Sequence, residues 1–415
     1  MLQTTCGLDF GTSNSSIAVP AKGSGTEPTL LAIDGDSSVV PSAMFFDNTD
    51  QTVIYGAAAH QRYLDGEPGR YLRGLKRVLG TSLADDGTFA LGRYWSFTEI
   101  LESFIHEVKH RAEALCQAEL QDIVIGRPVH FVEGDPAADQ AAEDMLHNIA
   151  VNAGFRQVAF QFEPVAAALS VDAQQLDQFT LVVDLGGGTS DFSVLHNPPG
   201  ADQLEVLGVA GVTFGGQDAD RALSLATVMH DLGYRTSLRN AKRELPTDHY
   251  HRLATWHQID SLYNTADYES IKQLRSVAAY PDRLDLLLRI LEQKKGHALA
   301  GAVERNKIRL CEAQRSQFTF ALDDQQLQRP LTYAEFAASI SAGLSRIDDG
   351  LRSCLKDAEV AGRDINSIVY TGGTALIPSV RTAVKEICPA ATIVPADVYG
   401  AVAMGLSLHA ARLYG

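Results

Sequence analysis

The chain has 415 residues, a length for roughly two to three domains, and its 45% hydrophobic and 21% charged residues describe an ordinary globular protein with buried cores. With 35 basic against 51 acidic residues the formal charge is −16, which argues against a general nucleic-acid or anionic-membrane binder, because both need a positive field. Five dispersed cysteines with no C-x-x-C pair, no basic-then-apolar leader at the N-terminus, and no apolar run near the ~20 residues of a membrane span predict a cytoplasmic protein with reduced thiols.

In chain order, the first element is a hairpin. Residues 5–19, TCGLDFGTSNSSIAV, read as an apolar strand ending in Asp9, a glycine-containing turn rich in hydroxyls, and a second apolar strand. A turn of this kind points backbone N–H groups and hydroxyls at one spot, where they can satisfy phosphate oxygens. A helix is predicted from Ser96, because Glu99 stands three residues on as in a capping box. Phe97, Ile100, Leu101, Phe104, Ile105 and Val108 give it one apolar face. A buried strand at Ile123–Gly126 follows, then a helix from Asp135-Pro136 to Gly154, and a strand at Val158–Phe162.

The same order then recurs. Residues 180–195, TLVVDLGGGTSDFSVL, repeat the strand–Asp–glycine turn–strand pattern around Asp184, with a plain turn expected at Asn197–Gly200. Thr332-x-x-Glu335 opens a helix, Ile368–Tyr370 is a strand, a helix follows Pro378, and Ala391–Val394 is the last strand before a C-terminal helix at Ala401–Leu413. Two halves with one element order predict a duplicated α/β protein whose functional loops lie at strand ends around a cleft. The two hairpins facing one another would clamp a nucleoside triphosphate. The residues between Gly215-Gly216 and Glu304, with an apolar cluster at Leu284–Leu291, read as a mostly helical insertion.

One further motif is set aside. His106-Glu107-Val108-Lys109-His110 matches H-E-x-x-H, but its histidines lie off the apolar stripe and no third ligand is identifiable, whereas a catalytic zinc needs three protein ligands.

Taken together, the motifs resemble those of the actin-like ATPases, and within them the DnaK-type heat-shock chaperones, nearest to the YegD group. The resemblance covers essentially the whole chain and rests on five motifs in order. Asp9-Phe10-Gly11-Thr12-Ser13-Asn14 is similar to the first phosphate loop, which implies that Gly11, Thr12, Ser13 and Asn14 border the phosphates and that Asp9 lies near the metal. Leu75-Lys76-Arg77-Val78-Leu79-Gly80 resembles the segment of the catalytic lysine, here Lys76. Phe162-Glu163-Pro164 resembles the connecting segment whose glutamate organises metal-bound water. Asp184-Leu185-Gly186-Gly187-Gly188-Thr189-Ser190-Asp191 matches the second phosphate loop, with Asp184 orienting water or metal and Thr189 facing the γ-phosphate. Tyr370-Thr371-Gly372-Gly373-Thr374 matches the adenosine loop.

Two partial matches add Gly215 and Gly216 in a Gly-Gly turn, and Glu304 and Lys307 toward the ribose and adenine. Where the family carries two arginines beside adenine, this chain has Ile308 and Leu376, and Cys311 replaces a usual serine. The resemblance therefore implies that apolar contact holds the base, without a cation–π contribution of about 0.5–2 kcal/mol.

The expected fold is α/β: a duplicated actin-like/heat-shock ATPase fold, two lobes around a nucleotide cleft. Residues 1–175 form the first lobe and 176–415 the second, with a helical insert at about 217–303 and the C-terminal helix crossing back to the first lobe. The family's peptide-binding domain is not expected, since the chain ends soon after that helix. The resemblance implies ATP/ADP and Mg²⁺ as ligands, with K⁺ as a further cation, and a slowly hydrolysing switch that works with a protein client or co-chaperone. A small-molecule kinase of the same superfamily, a filament-forming relative and a nucleotide-binding scaffold stay open as alternatives.

Overall fold

The computed structural model describes residues 5–20, 28–81, 86–171, 178–198, 204–240, 243–322 and 325–415. The turn expected at Asn197–Gly200 runs into residues 199–203, outside the described residues. The chain divides into two compact units. One holds Met1–Gly215, Arg346–Leu376 and Val380–Gly415, and the other Gly216–Ser345 with Ile377–Ser379.

The first unit contains the duplication. Its first sheet is built on β1 (Thr5–Phe10) and β2 (Asn14–Val19), paired antiparallel with Asp9 opposite Ser16. β3 (Asp122–Arg127) and β4 (Gln157–Phe162) extend it in parallel on the β1 side. The second sheet repeats this plan. β5 (Phe179–Leu185) and β6 (Ser190–His196) pair antiparallel with Asp184 opposite Asp191, and β7 (Glu205–Val212) continues beside β6. β8 (Ser367–Thr371) and β9 (Thr392–Val394) are added in parallel on the β5 side. The central strands read as near-continuous apolar runs because both faces are covered, as parallel strands require. Ile123, Val124, Ile125, Leu181, Val182 and Val183 are all fully buried.

Helices cover these sheets where the sequence places their caps. α1 (Phe97–Cys116) begins at Ser96 with both halves of the capping box formed, and buries Ile100, Leu101, Phe104, Ile105 and Val108. α2 (Pro136–Asn152) is capped by Asp135, whose side chain accepts from the Ala137 and Ala138 amides, and the chain leaves it through Gly154 at φ +96°. α3 (Glu163–Leu169) follows β4 directly, with Pro164 in its first turn.

The second unit opens on α4 (Gly216–Ala226), which packs on α5 (Gly296–Glu312). Between them lie further helices, including Thr265–Val277 and Pro281–Glu292; the latter buries Leu284, Leu287, Leu288, Ile290 and Leu291. A hairpin, Arg315–Leu322 with Gln325–Thr332, follows α5, and α6 (Tyr333–Ser339) starts at the predicted Thr332/Glu335 capping box.

In the first unit α7 (Pro378–Ile387) has its run from Val380 onward, and α8 (Ala401–Tyr414) closes the chain. α8 packs on β1 and α3 at unusually short range. A Cβ at Gly7 would meet the Ser407 amide nitrogen at 2.2 Å, and one at Gly405 would meet the Ala166 carbonyl oxygen at 1.6 Å. These glycines let backbone approach backbone, and the contact fixes the start of α3, which carries Glu163. On α1, His106 and His110 are exposed and Glu107 pairs with Arg111 at 2.7 Å, so the two histidines lie on a solvated helix face.

Candidate functional site

Each hairpin turn is held by hydrogen bonds from outside the hairpin. Ser42 braces the first: its amide donates to the Ser13 carbonyl at 2.9 Å and its hydroxyl to the Gly11 carbonyl at 2.7 Å. Thr374 braces the second, where its hydroxyl donates to the Gly186 carbonyl at 2.7 Å, and the Gly186 amide donates to Thr189 O at 3.0 Å.

The two turns face each other closely. A Cβ on Gly187 would lie 2.3 Å from Ser13 Oγ, and one on Gly188 would lie 2.9 Å from Thr12 Oγ1. Gly215 backs them, with its own Cβ position 2.5 Å from the Gly188 nitrogen. Glycine is needed here for close approach rather than for a special φ. Arg77 Nη2 reaches the Gly187 carbonyl at 3.5 Å.

Around the turns is a cleft with about 650 Å³ of empty space, counting the part open to solvent. The first hairpin supplies Asp9, Gly11, Thr12, Ser13 and Asn14; the second supplies Asp184, Gly186, Gly187, Gly188 and Thr189. Lys76, Glu163, Gly372 and Gly373 are the other sequence-predicted residues that line it. The fold thus gathers residues more than 360 positions apart, Asp9 and Gly372 among them. Gly372 has φ +74°, a conformation that glycine adopts freely, and its Cβ position would be 2.3 Å from the Leu185 carbonyl oxygen.

The electrostatics are lopsided. Lys76 sits on a 3₁₀ turn, Leu75–Val78, entered through Gly74 in the left-handed region, and its ammonium lies 2.5 Å from Glu163 Oε1. Both side chains are about nine-tenths buried. Burial opposes the Lys76 charge, but Glu163 and Asp9 outweigh it and hold the ammonium above its usual range. Against this one buried cation stand several carboxylates. Burial, with repulsion from Glu163, pushes Asp9 well above the usual carboxylate range. The same causes raise Asp184 to about 7. Asp191 rises to about 8 through burial and repulsion from Glu163 and Asp184, only partly offset by the Val129 amide at 2.8 Å and the Thr189 hydroxyl. A site with this surplus of negative charge favours cations.

The donors are hard oxygens, carboxylate and hydroxyl, with no histidine or thiolate among the cleft residues. That set suits Mg²⁺, which takes one or two carboxylates together with phosphate and water. It does not offer an all-protein cage: among the described residues no group of three or more His, Cys, Asp or Glu is arranged around a metal position.

The remaining predicted residues fall elsewhere. Thr374 is buried behind the second turn, and Leu376 ends the 3₁₀ turn Gly373–Leu376 with 42% of its surface exposed. In the second unit, Gly216, Glu304, Lys307, Ile308 and Cys311 lie on α4 and α5. Lys307 bonds the Gly216 carbonyl at 3.2 Å and pairs with Asp220 at 2.9 Å, while Ile308 is half exposed.

Three contributors have no role in the sequence reading, although Asp191 closes the second phosphate-loop motif. Asp191 could have been found by counting across the hairpin, since a carboxylate seven residues after Asp184 lands opposite it. Ser42 and Tyr399, which lines the cleft beside Gly373, belong to segments without any local phosphate-binding pattern.

Comparison with known proteins adds an independent finding. The family described as "Hsp70 protein" matches residues 5–243 and 288–415. A mitochondrial heat shock 70 kDa protein of Pisum sativum is 26% identical over 440 residues, covering 99% of this chain and 55% of the relative. A chaperone protein HscA homolog of Bordetella petrii is 28% identical over 430 residues, covering 99% and 58%. A chaperone protein DnaK of Thermotoga petrophila is 26% identical over 426 residues, covering 99% and 59%. The chain spans somewhat more than half the length of these curated relatives. Among the described residues no helix is long and apolar enough to cross a membrane.

Proposed function

The chain belongs to the Hsp70 family, and from that premise we propose that it is a chaperone-like switch that binds ATP with Mg²⁺ and hydrolyses it slowly to ADP and phosphate. Its fold is that family's duplicated actin-like ATPase fold. The observation that carries the proposal is the pair of hairpin turns in near contact over a cleft that holds one buried lysine among carboxylates.

In this reading Thr12, Ser13, Asn14 and the turn amides of both hairpins bind the phosphate chain. Asp9 and Asp184, at matching strand ends, would hold Mg²⁺ through its waters; the ion would shield charge on the phosphates. Lys76 stabilises charge that grows on the γ-phosphate as water attacks. Glu163 fixes the lysine and, with Asp184, orients that water, while Thr189 faces the transferred group. Positioning and charge stabilisation are nearly all that phosphoryl transfer requires. K⁺ is proposed as a second cation. On the nucleoside side, Glu304, Lys307, Ile308, Cys311 and Leu376 are the proposed contributors, and a position nearest the YegD group within the family is likewise proposed, on the resemblance of the motifs.

What the switch acts on is proposed as a protein client or co-chaperone, since chaperone names attach to the relatives. The test is calorimetric titration of the chain with ATP and ADP, joined to phosphate release without any acceptor. Binding and acceptor-independent release are expected. Release that requires an added sugar or acid would make the protein a kinase.

A further inference from the structure

The cleft is lined by two kinds of residue. Its hydroxyls, carboxylates and lysine come from the hairpin turns and from Lys76 and Glu163. Its apolar lining is Val39, Val398, Tyr399 and Val402. Among the described residues Tyr399 is the one aromatic side chain that lines the cleft.

The backbone under this tyrosine is firmly anchored. The Gly372 amide donates to the Val398 carbonyl at 2.9 Å, the Ser16 hydroxyl donates to the Tyr399 carbonyl at 3.3 Å, and the Tyr399 amide donates to Asp397 Oδ1 at 3.0 Å. The segment is thereby tied both to the adenosine-loop glycines and to the first hairpin. The ring itself is left open: Tyr399 is 46% exposed. Its hydroxyl end lies over Gly373, where a Cβ would stand 3.2 Å from the hydroxyl oxygen and 3.5 Å from a ring carbon. Holding a large ring half in water over a glycine, on a backbone fixed at three points, serves no packing purpose. Immediately beyond the same turn Leu376 is also exposed.

The geometry points to Tyr399 as the residue that receives the nucleoside of the bound nucleotide, stacking on its base beside Gly373 while the hairpin turns hold the phosphates. This rests on the reading of the cleft as a nucleoside-triphosphate site, and adds to it a contact that none of the phosphate-loop motifs contains. Base–aromatic stacking tolerates any base, because every base has a π-face. It therefore supplies affinity that does not depend on a cation beside the base.

The test is calorimetric titration of the full chain, of Tyr399→Phe and of Tyr399→Ala, each with MgATP and with Mg-tripolyphosphate, which has the phosphates without the nucleoside. Tyr399→Ala should bind ATP about tenfold more weakly and tripolyphosphate within twofold of the parent, and Tyr399→Phe should keep parental affinity for both. Unchanged or tighter ATP binding by Tyr399→Ala overturns the assignment. So does an equal loss for ATP and tripolyphosphate, which would make the ring a support of the phosphate turns. A parent chain that binds neither ligand instead removes the nucleotide reading on which the assignment stands.

Discussion

Lys76 Nζ lies 2.5 Å from Glu163 Oε1, a buried pair joining residues 87 apart in sequence. The two partners are not equivalent. Glu163 is a source of repulsion for Asp9, Asp184 and Asp191, whereas Lys76 is the cation that relieves it at Asp9 and Asp184. Lys76→Met should therefore destabilise the ligand-free protein by about 3–5 kcal/mol, the usual effect of stranding a buried charge. Glu163→Gln should cost clearly less, because Asp9 still faces the ammonium. Urea unfolding of both variants checks this, and an equal or larger loss for Glu163→Gln contradicts it.

The surplus of carboxylate predicts a metal requirement. Asp9 and Asp184 occupy matching strand ends, and burial with repulsion from Glu163 raises the proton affinity of both, so a bound cation would favour their ionised forms. ATP should bind more tightly with Mg²⁺ than with a chelator present, and Asp9→Asn or Asp184→Asn should weaken that advantage. Calorimetry giving equal ATP affinity with and without Mg²⁺ would count against the arrangement.

Much of this was legible locally. The hairpins, strands and capping boxes are written in short-range patterns: apolar runs ended by Asp9 and Asp184, and Ser96/Glu99 or Thr332/Glu335 at helix starts. Lys76 and Glu163 carried no such local signal beyond their family resemblance, yet the fold brings them together. What escaped depends on contacts between distant segments. Ser42 acts by bonding a turn some thirty residues away, and Tyr399 by lying over Gly373, and neither relation has a sequence period. Asp191 was within reach, since only the cross-strand register was needed to place it opposite Asp184.

The crossing of α8 over α3 gives a stability prediction. Gly405→Ala would drive a Cβ into the Ala166 carbonyl, a backbone group that cannot swing aside. A loss of at least about 3 kcal/mol is expected. Gly301→Ala is the control: on α5 its nearest neighbour would be the end of Arg305 at 3.4 Å, so the change should be neutral or stabilising by up to about 1 kcal/mol. Thermal and urea unfolding of the two variants should separate them clearly. Similar stabilities would contradict the packing described.

A pH dependence arises in the second unit. His249 is 6% exposed beside Tyr250, and burial lowers its pKa to about 4 from 6.5. The unfolded chain binds this proton more readily, so the contribution is fully present above pH 6.5 and is lost as pH falls toward 4. Between pH 7 and pH 5 it should weaken stability by about 2 kcal/mol. His249→Leu should reduce the difference between urea midpoints at these two values. A variant with the parent's pH dependence would exclude His249 as its source.

The central claim is that this cleft carries out hydrolysis with Lys76 as its electrostatic group. Single-turnover conversion of MgATP by the parent and by Lys76→Ala, with nucleotide affinity measured in parallel, tests it most directly. The parent should form ADP and phosphate without an acceptor, and Lys76→Ala should still bind ATP but react roughly 10²–10³-fold more slowly, the usual effect of losing one well-placed charge. An unchanged rate in Lys76→Ala, or a parent that binds ATP and never hydrolyses it, would contradict it.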